Sequence, residues 1–296
     1  MAVGLIGTGN MGTQVGRKLL KAGEELVVFD LRAAATHEIC LAGANRSRSL
    51  SELAHSVTTV VTSLPNHHAV ESVMLGERDG LLRALAPGST IIDISTSSPA
   101  LASNIGALAA ELGHHYLDAP LIRGGEIIVA GGTPSAFERS QSLLTILSQR
   151  LFHVGSAGMG QAMKLVRQYV AFSYFLAEAE GLLIAKKAGV DIGLAVEILG
   201  LSVGPTQFRT DYWDAVFRRD FGDPGHTVST LNIVAKDIGL AVGMAQRLQT
   251  PAVTGLGLLD ILQRGLARDF GSNGFWSAVR VLEQMAGVEL RRNTES

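Results

Sequence analysis

Short apolar segments alternate with helix-like segments along the first half of the chain. Most of the apolar segments are continuous and have the length of strands, which is typical of strands buried on both faces of a sheet. They lie at Ala2 to Ile6, Leu26 to Phe29, Val57 to Ser63, Thr90 to Ile94, His115 to Leu117, Ile127 to Ala130 and Leu151 to Val154. Helical patterns separate them, at 36–56 with a short break, and at 69–75, 80–85, 99–112 and 134–149. This alternation predicts an α/β domain over residues 1–157 with a mostly parallel sheet.

The pattern changes after Gly160. Residues 161–188 form one long apolar segment with helical spacing, about 28 residues or roughly 42 Å long. Further helices are predicted at 191–200, 208–219, 228–248, 250–268 and 275–286. Because the long helix is apolar on several sides, it needs more than one neighbour to cover it. Residues 158–296 are therefore predicted to be an all-helical substrate and dimerisation domain, joined to the first by this interdomain helix, in a homodimer or homotetramer.

The first predicted strand runs directly into a glycine-rich turn, Gly7-Thr8-Gly9-Asn10-Met11-Gly12, and then into a helix. Gly7 permits the tight turn, Gly9 lets a phosphate approach the backbone, and Gly12 allows the helix to pack closely on the strand. The helix N-terminus offers N–H groups and a positive dipole end to the phosphates. The sequence therefore predicts a dinucleotide cofactor bound by Gly7, Gly9, Asn10, Met11 and Gly12.

Asp30 ends the second predicted strand, eighteen residues after Gly12. A carboxylate there can accept hydrogen bonds from ribose hydroxyls and repels a 2′-phosphate, which favours NAD over NADP. Arg32 lies two residues further on. It is either a solvated surface charge or a group that reaches a phosphate or the adenine. NAD is the predicted cofactor, and NADP is left open.

Loops at the carboxyl ends of parallel strands meet at one edge of a sheet, where ligands bind. Three predicted loops lie at such ends, at Leu64-Pro65, Ser95-Thr96 and 118–125. They are predicted to surround one cleft together with the glycine-rich turn. The hydroxyls at 97–98 directly precede a predicted helix, and one of them is in position to cap it.

Lys164 is the strongest candidate for acid–base chemistry. It stands near the start of the long helix, at the domain junction, where it can face the cleft. A lysine there can donate a proton to a carbonyl oxygen, or accept one from a hydroxyl during oxidation. The alternative is a surface lysine. Gln168, one helical turn on, shares its face and can hydrogen-bond a substrate, whereas Arg167 points about 100° away.

Composition and residue spacing exclude several classes of function. The net charge is −2 and no basic stripe occurs, so nucleic acid is not an expected partner. Cys40 is the single cysteine, which excludes an internal disulfide and fits a reducing compartment. No leader or membrane-spanning pattern occurs, so the expected location is cytoplasmic, with no membrane partner. The histidine pairs at 67–68 and 114–115 lack a metal-binding spacing, are expected on the surface or in loops, and predict no metal site.

Five motifs in this order resemble those of the 3-hydroxyisobutyrate dehydrogenase family of β-hydroxyacid dehydrogenases. Relatives of that family include tartronate-semialdehyde, glyoxylate and imine reductases. The glycine-rich turn resembles the family's GxGxMG opening. The other motifs are Leu64-Pro65 with Val70 and Gly76, Asp93 with Ser95-Thr96 and Pro99, Gly158 to Leu165 (GMGQAMKL), and Lys236 to Ala241 (KDIGLA). The resemblance covers nearly the whole chain and implies a Rossmann-type domain followed by a helical domain like that of 6-phosphogluconate dehydrogenase.

The resemblance also implies roles for single residues. Lys164 is similar to the family's catalytic lysine, which makes it the expected proton-transfer residue. Thr96 matches a threonine on the nicotinamide side of the cofactor. Lys236, which by spacing alone is a solvated charge, becomes an expected contact to the cofactor or substrate. Leu64-Pro65 belongs to the implied cofactor site, and Ser95 to the implied substrate site.

The predicted substrate loop departs from the family's DAPVSGG pattern. Residues 118–125 read DAPLIRGG, with Ile122 where a carboxylate-binding serine is usual and Arg123 where a glycine is usual. About seven residues of the family's loop are missing, and Arg167 stands where asparagine is usual. One hypothesis is that Arg123 anchors a substrate carboxylate, since a guanidinium binds carboxylate bidentately. Ile122, Arg123 and Gly124 are the substrate-loop candidates.

The sequence thus predicts an NAD(P)-dependent oxidoreductase that interconverts a small β-hydroxy acid and its semialdehyde or keto acid. Lys164 handles the hydroxyl proton, and Thr96 and Gln168 help to position the ligand. Two alternatives remain open. One is reduction of an imine or a bulkier carbonyl, because the shortened loop opens the site. The other is a catalytically silent cofactor-binding module, because the substrate loop is altered.

Overall fold

The computed structural model describes residues 2–76, 80–202, 211–222 and 229–291. Internal contacts divide the chain into two compact units, Met1–Lys164 and Leu165–Ser296. The long helix Met159–Lys187 gives its first six residues to the first unit and the rest to the second. The first unit is an α/β sandwich and the second is helical, so the predicted fold class is confirmed.

Nine strands within the described residues form one sheet. They are β1 (Val3–Ile6), β2 (Leu26–Phe29), β3 (Asn45–Arg46), β4 (Thr59–Thr62), β5 (Thr90–Asp93), β6 (His115–Asp118), β7 (Leu121–Ile122), β8 (Ile127–Gly132) and β9 (Arg150–Gly155). Their order is β3-β2-β1-β4-β5-β6-β8-β7, and β9 also pairs with β8. Strands β1 to β6 pair in parallel, so the carboxyl ends of β1, β4, β5 and β6 lie along one edge.

Helices cover both faces of this sheet. In the first unit they are α1 (Asn10–Lys21), α2 (His37–Leu41), α3 (Leu50–Ser56), α4 (His67–Leu75), α5 (Leu81–Ala84), α6 (Pro99–Glu111) and α7 (Pro134–Leu147), with 3₁₀ turns at Ala33–Thr36 and Arg123–Gly125. Successive strand residues point to opposite faces. Leu5 therefore packs in one buried cluster, with Val15 and Leu144, and Ile6 packs in the other, with Leu53. Burial on both sides explains why these strands are continuously apolar.

Local sequence signals set where the helices begin. The Asn66 side chain accepts a hydrogen bond from the Ala69 N–H and caps α4. Ser98 does the same for α6, accepting from the Leu101 N–H at 3.2 Å, with proline in the first turn. Ser98, and not Ser97, is therefore the residue that caps the helix.

Two short strands add to the predicted ones. Asn45–Arg46 lies within the segment 36–56, which was predicted to be helical with a short break, and pairs with β2. Leu121–Ile122 falls inside the predicted loop 118–125 and pairs antiparallel with β8. Each has only two residues, so no periodicity could reveal it. The second strand makes a tight hairpin of the predicted substrate loop.

The second unit is built from helices around an aromatic core. The helices are α8 (Met159–Lys187), α9 (Ile192–Ser202), α10 (Asp211–Phe217), α11 (Leu231–Arg247), α12 (Val253–Leu266) and α13 (Val279–Ala286), with a 3₁₀ turn at Phe275–Ala278 before α13. Phe175 stacks on Trp213 at 5.0 Å and meets the edge of Phe275 at 5.1 Å. Residues 208–210 and 228 of the predicted helices lie outside the described residues. In the described ranges, no helix is long and apolar enough to cross a membrane.

A buried carboxylate fastens the end of the described chain in this unit. Glu283 on α13 is 3% exposed and accepts two hydrogen bonds from Nη1 of Arg219, at 2.7 and 2.8 Å. It also accepts the Leu290 N–H at 2.8 Å. The neighbouring Glu289 lies 3.8 Å from the same arginine and is 54% exposed. Glu283 thus joins the segment after α10 to the segment after α13.

We predict that Glu283→Gln lowers the free energy of unfolding by about 2–3 kcal/mol. The amide keeps the shape of the side chain, but its NH₂ group faces N–H donors that the carboxylate satisfied. Urea unfolding followed by circular dichroism measures the change. Glu289→Gln is the matched control and is expected to unfold as the wild type does, because that carboxylate is solvated. Equal effects of the two substitutions would contradict this account.

Candidate active site

The glycine-rich turn joins β1 to α1 and leaves no room for side chains at two of its three glycines. Gly7 has a φ of +89°, and a Cβ there would lie 2.2 Å from the Ser63 carbonyl oxygen. A Cβ on Gly12 would lie 2.0 Å from the Gly7 carbonyl oxygen. Gly9 is different, since a Cβ there would meet no protein atom within 4 Å. The open side of the turn is therefore at Gly9.

The N-terminus of α1 faces this opening without a side-chain cap. Gly9 is the cap residue, and the first turn contains no acidic residue. The first N–H groups of a helix have no partner within the helix, so they can bind an anion. The turn itself is fixed by Thr13, whose hydroxyl donates to the Thr8 carbonyl oxygen at 2.9 Å and whose N–H donates to the Gly9 carbonyl oxygen at 2.8 Å.

Asp30, at the end of β2, holds the turn from the neighbouring strand. Its Oδ2 accepts the Thr8 N–H at 2.9 Å and the Thr8 hydroxyl at 3.3 Å, and its Oδ1 accepts the Arg32 N–H at 2.9 Å. The Asp30 side chain is 12% exposed, while that of Arg32 is 80% exposed. Each carboxylate oxygen has lone pairs left to accept a ribose hydroxyl. Asp30 is thus both a candidate ribose ligand and a structural part of the glycine-rich turn.

Polar groups at the ends of β4 and β5 form one connected network. Thr62 and Asp93 occupy paired positions, and the Thr62 hydroxyl donates to Asp93 Oδ1 at 2.8 Å. The Ser95 N–H donates to the same oxygen at 3.0 Å, and the Leu64 N–H donates to the Ser95 hydroxyl at 2.9 Å. The two predicted loops, Leu64-Pro65 and Ser95-Thr96, therefore lie side by side. Thr96 is half-buried.

Asp118, at the end of β6, joins this edge of the sheet to the start of α8. It occupies the position paired with Asp93 and is fully buried. Its Oδ1 accepts the Gly158 N–H and its Oδ2 accepts the Gln161 N–H, both at 2.7 Å. The buried Gln161 side chain continues the network: its Nε2 donates to the Ser95 carbonyl oxygen at 2.9 Å, and its Oε1 accepts the Ser97 N–H at 3.0 Å.

Burial dominates the ionisation of the acids at this edge. It raises the pKa of Asp118 to about 7, against the lowering effect of the N–H groups of Gly158 and Gln161, and the nearby Asp93 carboxylate adds to the rise. Burial likewise raises the pKa of Asp93, although hydrogen bonds from Ser95 and Thr62 oppose it. The pKa of Tyr116 is raised well above its ordinary value, chiefly by burial and then by the two carboxylates.

Lys164 lies on α8 three residues after Gln161 and is partly buried. Its Nζ donates a hydrogen bond to the Leu121 carbonyl oxygen on β7 at 2.6 Å. The lysine is thus held against the hairpin that follows Asp118, within the first unit. This side chain, the Ser95-Thr96 loop and Asp118 all connect to the first two turns of α8.

The hairpin formed by β7 and β8, which begins at Leu121, contains the remaining substrate-loop candidates. Ile122 is 5% exposed, so its side chain is buried. Arg123 has a φ of +53°, Gly124 one of +63°, and both form the tight end of the hairpin. Arg123 Nε lies 3.3 Å from a carboxylate oxygen of Glu126, and both side chains are 49% exposed. The guanidinium is therefore at the surface of the hairpin in a solvated ion pair.

Comparison with known families decides the class of the protein. A model of the NAD-binding domain of 6-phosphogluconate dehydrogenase matches residues 2–155, just over half of the chain. A model of the NAD-binding region of NADP-dependent 3-hydroxyisobutyrate dehydrogenase matches residues 158–282. The chain belongs to the 3-hydroxyisobutyrate dehydrogenase-like family. It is a dehydrogenase or reductase that uses NAD or NADP, as the sequence predicted.

Relatives in this family align with nearly the whole chain. The 2-(hydroxymethyl)glutarate dehydrogenase of Eubacterium barkeri is 30% identical, over 97% of this chain and 97% of its own. The 3-hydroxyisobutyrate dehydrogenase of Pseudomonas aeruginosa is 32% identical, over 87% of this chain and 89% of its own. The solved structure of Mycobacterium tuberculosis 3-hydroxyisobutyrate dehydrogenase with L-serine is 26% identical, with a TM-score of 0.84, and covers 95% of this chain and 98% of that one.

The helical unit of this family member has its own polar network. Gln168 and Asp237 are both buried, and Gln168 Nε2 donates to Asp237 Oδ2 at 2.8 Å. Lys236 Nζ lies 3.2 Å from Asp237 Oδ1. Arg167 donates a hydrogen bond to Gln168 Oε1. Two residues predicted as ligand contacts, Gln168 and Lys236, are thus brought together by an aspartate that the sequence analysis named only as part of a motif.

Two further residues of the first unit went unassigned in the sequence analysis. Asp118 and Gln161 stand within quoted family motifs, but spacing gives no sign that they bond across 43 residues. His114 lies in the loop before β6, within the expectation of surface or loop histidines, but it is buried, with Nε2 at 2.9 Å from the Leu82 carbonyl oxygen. Among the described residues no group of three or more His, Cys, Asp or Glu side chains is arranged to hold a metal ion.

We predict that Gly9→Ala weakens cofactor binding about tenfold or more while leaving the unfolding temperature close to that of the wild type. Its Cβ meets no protein atom, so the methyl group obstructs only a phosphate that approaches the turn. Fluorescence titration with NADH and NADPH measures the dissociation constants. Gly12→Ala is the comparison: its Cβ would meet the Gly7 carbonyl oxygen, so its unfolding temperature is expected to fall as well. Unchanged binding by Gly9→Ala would contradict the assignment of the turn.

Proposed function

We propose that this protein interconverts a small β-hydroxy acid and its semialdehyde or keto acid, with Lys164 as the proton donor and acceptor. The names of the relatives support the substrate class. 2-(Hydroxymethyl)glutarate, 3-hydroxyisobutyrate and L-serine each have a hydroxyl group on the carbon β to a carboxylate. A substrate of this class needs an anchor for the carboxylate and a proton relay at the hydroxyl oxygen.

The main support for a proton-transfer role is the environment of Lys164. A partly buried ammonium group is held at 2.6 Å by the Leu121 carbonyl oxygen, close in sequence to Gln161, which bonds the end of β5. The Leu121 carbonyl oxygen can accept a hydrogen bond from the Lys164 amine whether that amine is charged or neutral, because both forms carry N–H groups. Lys164 therefore keeps a fixed position in either protonation state. General acid–base groups must lie within hydrogen-bond reach of the reacting oxygen, and a fixed lysine meets that requirement.

The glycine-rich turn, the N-terminus of α1 and Asp30 fit a nicotinamide dinucleotide. Gly9, Asn10, Met11 and Gly12 would hold the phosphates, and Asp30 would accept from the adenosine ribose. Leu64, Pro65 and Thr96 would line the path along the strand ends, and Arg32 and Lys236 are further candidate contacts. When bound, the cofactor supplies or accepts the hydride at the substrate carbon. NAD is the preferred form because the Asp30 carboxylate repels a 2′-phosphate.

In the direction of reduction, protonated Lys164 donates its proton to the oxygen of the carbonyl group as that oxygen becomes a hydroxyl. In the direction of oxidation, neutral Lys164 accepts the hydroxyl proton. Thr96 and the Ser95 backbone would limit how the ligand lies at the strand ends, since both belong to a loop bonded to Gln161. Gln168, oriented by Asp237, is a candidate hydrogen-bond partner of the substrate.

We infer that Arg123 anchors the substrate carboxylate. Ile122 offers no donor, and Gly124 lies at the tight end of the hairpin, so Arg123 is the charged group among these three. Its pair with Glu126 is half-exposed, and such surface pairs are worth about 0–1 kcal/mol. The guanidinium can therefore exchange Glu126 for a substrate carboxylate at little cost.

One observation favours a second candidate function. Residues 121–128 form a tight antiparallel hairpin in place of a longer substrate loop, with the buried Ile122 at the expected serine position. A site with fewer polar donors suits a bulkier carbonyl or a cyclic imine. A catalytically silent cofactor-binding module is the third possibility. It is distinguished by cofactor binding without turnover.

The proposed assembly is a homodimer or homotetramer. Met163, Val166 and Val170 are 41%, 45% and 62% exposed and follow one another at helical spacing on α8. An exposed apolar stripe of this kind is typical of a helix that packs against another chain. Light scattering during size-exclusion chromatography measures the assembly.

A substrate panel tests the proposed reaction. Turnover of β-hydroxy acids and of their semialdehydes is measured by absorbance at about 340 nm with NAD(H) and NADP(H), beside cyclic imines and bulkier ketones. The highest kcat/KM is expected for a β-hydroxy acid with NAD. A preference for imines would select the second function. Binding of NADH without any turnover would select the third.

We predict that Lys164→Met lowers kcat by about 10²–10⁴-fold and leaves the NADH dissociation constant nearly unchanged, because only proton transfer is lost. Stopped-flow absorbance and fluorescence titration measure the two quantities. Lys187→Met, at the exposed end of the same helix, is the control and is expected to match the wild type. Full turnover by Lys164→Met would remove the lysine from the mechanism.

We predict that Arg123→Ala raises KM for carboxylate substrates by about 10–100-fold with a smaller effect on kcat, as expected for a lost bidentate hydrogen bond to a charge. Glu126→Gln is the matched control. It removes the competing carboxylate, so KM is expected to stay the same or decrease. An unchanged KM in Arg123→Ala, for every carboxylate in the panel, would show that the anchor lies elsewhere.

A further inference from the structure

We propose that Asp118 and Gln161 are positioning residues, which together fix the start of α8 against the strand ends and thereby aim Lys164, and that the ionised form of Asp118 is required. This inference rests on the proposed function for its catalytic consequence. The hydrogen bonds from the Gly158 and Gln161 N–H groups to Asp118, which we call the clamp, lie within the first unit and can be tested without turnover.

The Asp118 carboxylate closes the N-terminus of α8. Gly158 precedes this helix and Gln161 lies in its first turn, and their N–H groups donate to the two different carboxylate oxygens at 2.7 Å. The first N–H groups of a helix lack partners within the helix. A cap residue next in sequence usually supplies the acceptor, but here a strand residue 40 positions before Gly158 does so. The negative charge also lies at the positive end of the helix dipole.

Neighbouring glycines make room for this carboxylate. A Cβ on Gly131 would lie 2.7 Å from Asp118 Oδ1. A Cβ on Gly160 would lie 2.8 Å from Oδ2 and 2.2 Å from the Asp118 carbonyl oxygen. The carboxylate therefore has one position, between β8 and the first turn of α8, and side chains larger than hydrogen at either glycine would displace it.

Gln161 connects the same helical turn to the loop after β5. Its amide bonds both the Ser95 carbonyl oxygen and the Ser97 N–H, so Thr96 lies between the two attachment points. Lys164 follows Gln161 by three residues on the helix. A shift of the first turn of α8 would therefore move Lys164 relative to the Ser95-Thr96 loop, and catalysis is sensitive to displacements of about 1 Å.

Protonation of Asp118 would remove one of the two hydrogen bonds that its carboxylate accepts from Gly158 and Gln161. A neutral carboxyl group carries a hydrogen on one oxygen, and that hydrogen would face one of two N–H donors. The titratable groups that interact electrostatically with Asp118 are Asp93 from β5 and Tyr116 from β6 itself, while β8 (Ile127–Gly132) contributes none. Burial and the Asp93 carboxylate raise the pKa of Asp118 to about 7, within the working range of an enzyme.

The first experiment compares pH profiles of the wild type, Asp118→Asn and Gln161→Met with the best substrate of the panel. In the wild type, kcat is expected to fall on the acid side with an apparent pKa near 7. Asp118→Asn is expected to lose that acid limb, with kcat at least tenfold lower at high pH and KM within threefold of the wild type. Gln161→Met is expected to lower kcat and to keep the limb, because Asp118 still caps the helix.

The second experiment needs neither a variant nor turnover. The ¹H–¹⁵N resonances of Gly158 and Gln161 are followed from pH 5 to 9 in the wild-type protein. Both are expected to shift together with a midpoint near 7, as their acceptor gains a proton. A midpoint below about 5, near the ordinary range of aspartate, would overturn the proposal. So would an acid limb near 7 that persists in Asp118→Asn. If no substrate turns over, the proposed reaction fails while this titration still decides the clamp.

Discussion

The N-terminus of α8, the helix that carries the candidate catalytic residue Lys164, is closed by a carboxylate from the sheet. Gly158 and Gln161, whose N–H groups lie at the start of α8, are buried, and an unsatisfied buried donor costs about 1–3 kcal/mol. The chain meets this requirement with a carboxylate from β6. Because Asp118 is itself at the end of a strand, closing the helix also sets the distance from the helix to the sheet edge. Lys164 is placed as a consequence.

A second constraint is the lack of space for side chains in the glycine-rich turn. Gly7 and Gly12 are required because their Cβ positions coincide with backbone oxygens, which no repacking can move cheaply. Gly9 has open space instead, so the packing of the protein does not require a glycine there. Asp30 joins the two effects, since the carboxylate that would select the ribose also holds the Thr8 N–H of the turn. Loss of the Asp30 carboxylate is therefore expected to loosen the glycine-rich turn.

The candidate substrate residues are held differently from the candidate cofactor residues. In the hairpin, the buried Ile122 has no side-chain hydrogen-bond donor where a serine is usual in the family. The charged Arg123 lies at the surface in a weak ion pair. In the helical unit, buried Asp237 is matched by Gln168 and Lys236, as a buried charge requires. The candidate cofactor site is thus built from the backbone of the sheet and its turn, whereas the candidate substrate residues act through their side chains.

Sequence by itself determined the class of fold, most of the element order, the glycine-rich turn with its acid at Asp30, and the family. Those features are local, because a strand, a helix cap or a tight turn is encoded within a few neighbouring residues. Tertiary structure alone revealed the role of Asp118, the bond from Lys164 to the Leu121 carbonyl, and the burial of His114. These depend on which strand ends meet across the sheet. Spacing along the chain does not encode that meeting, since the partners lie about 40 residues apart and are brought together only by packing.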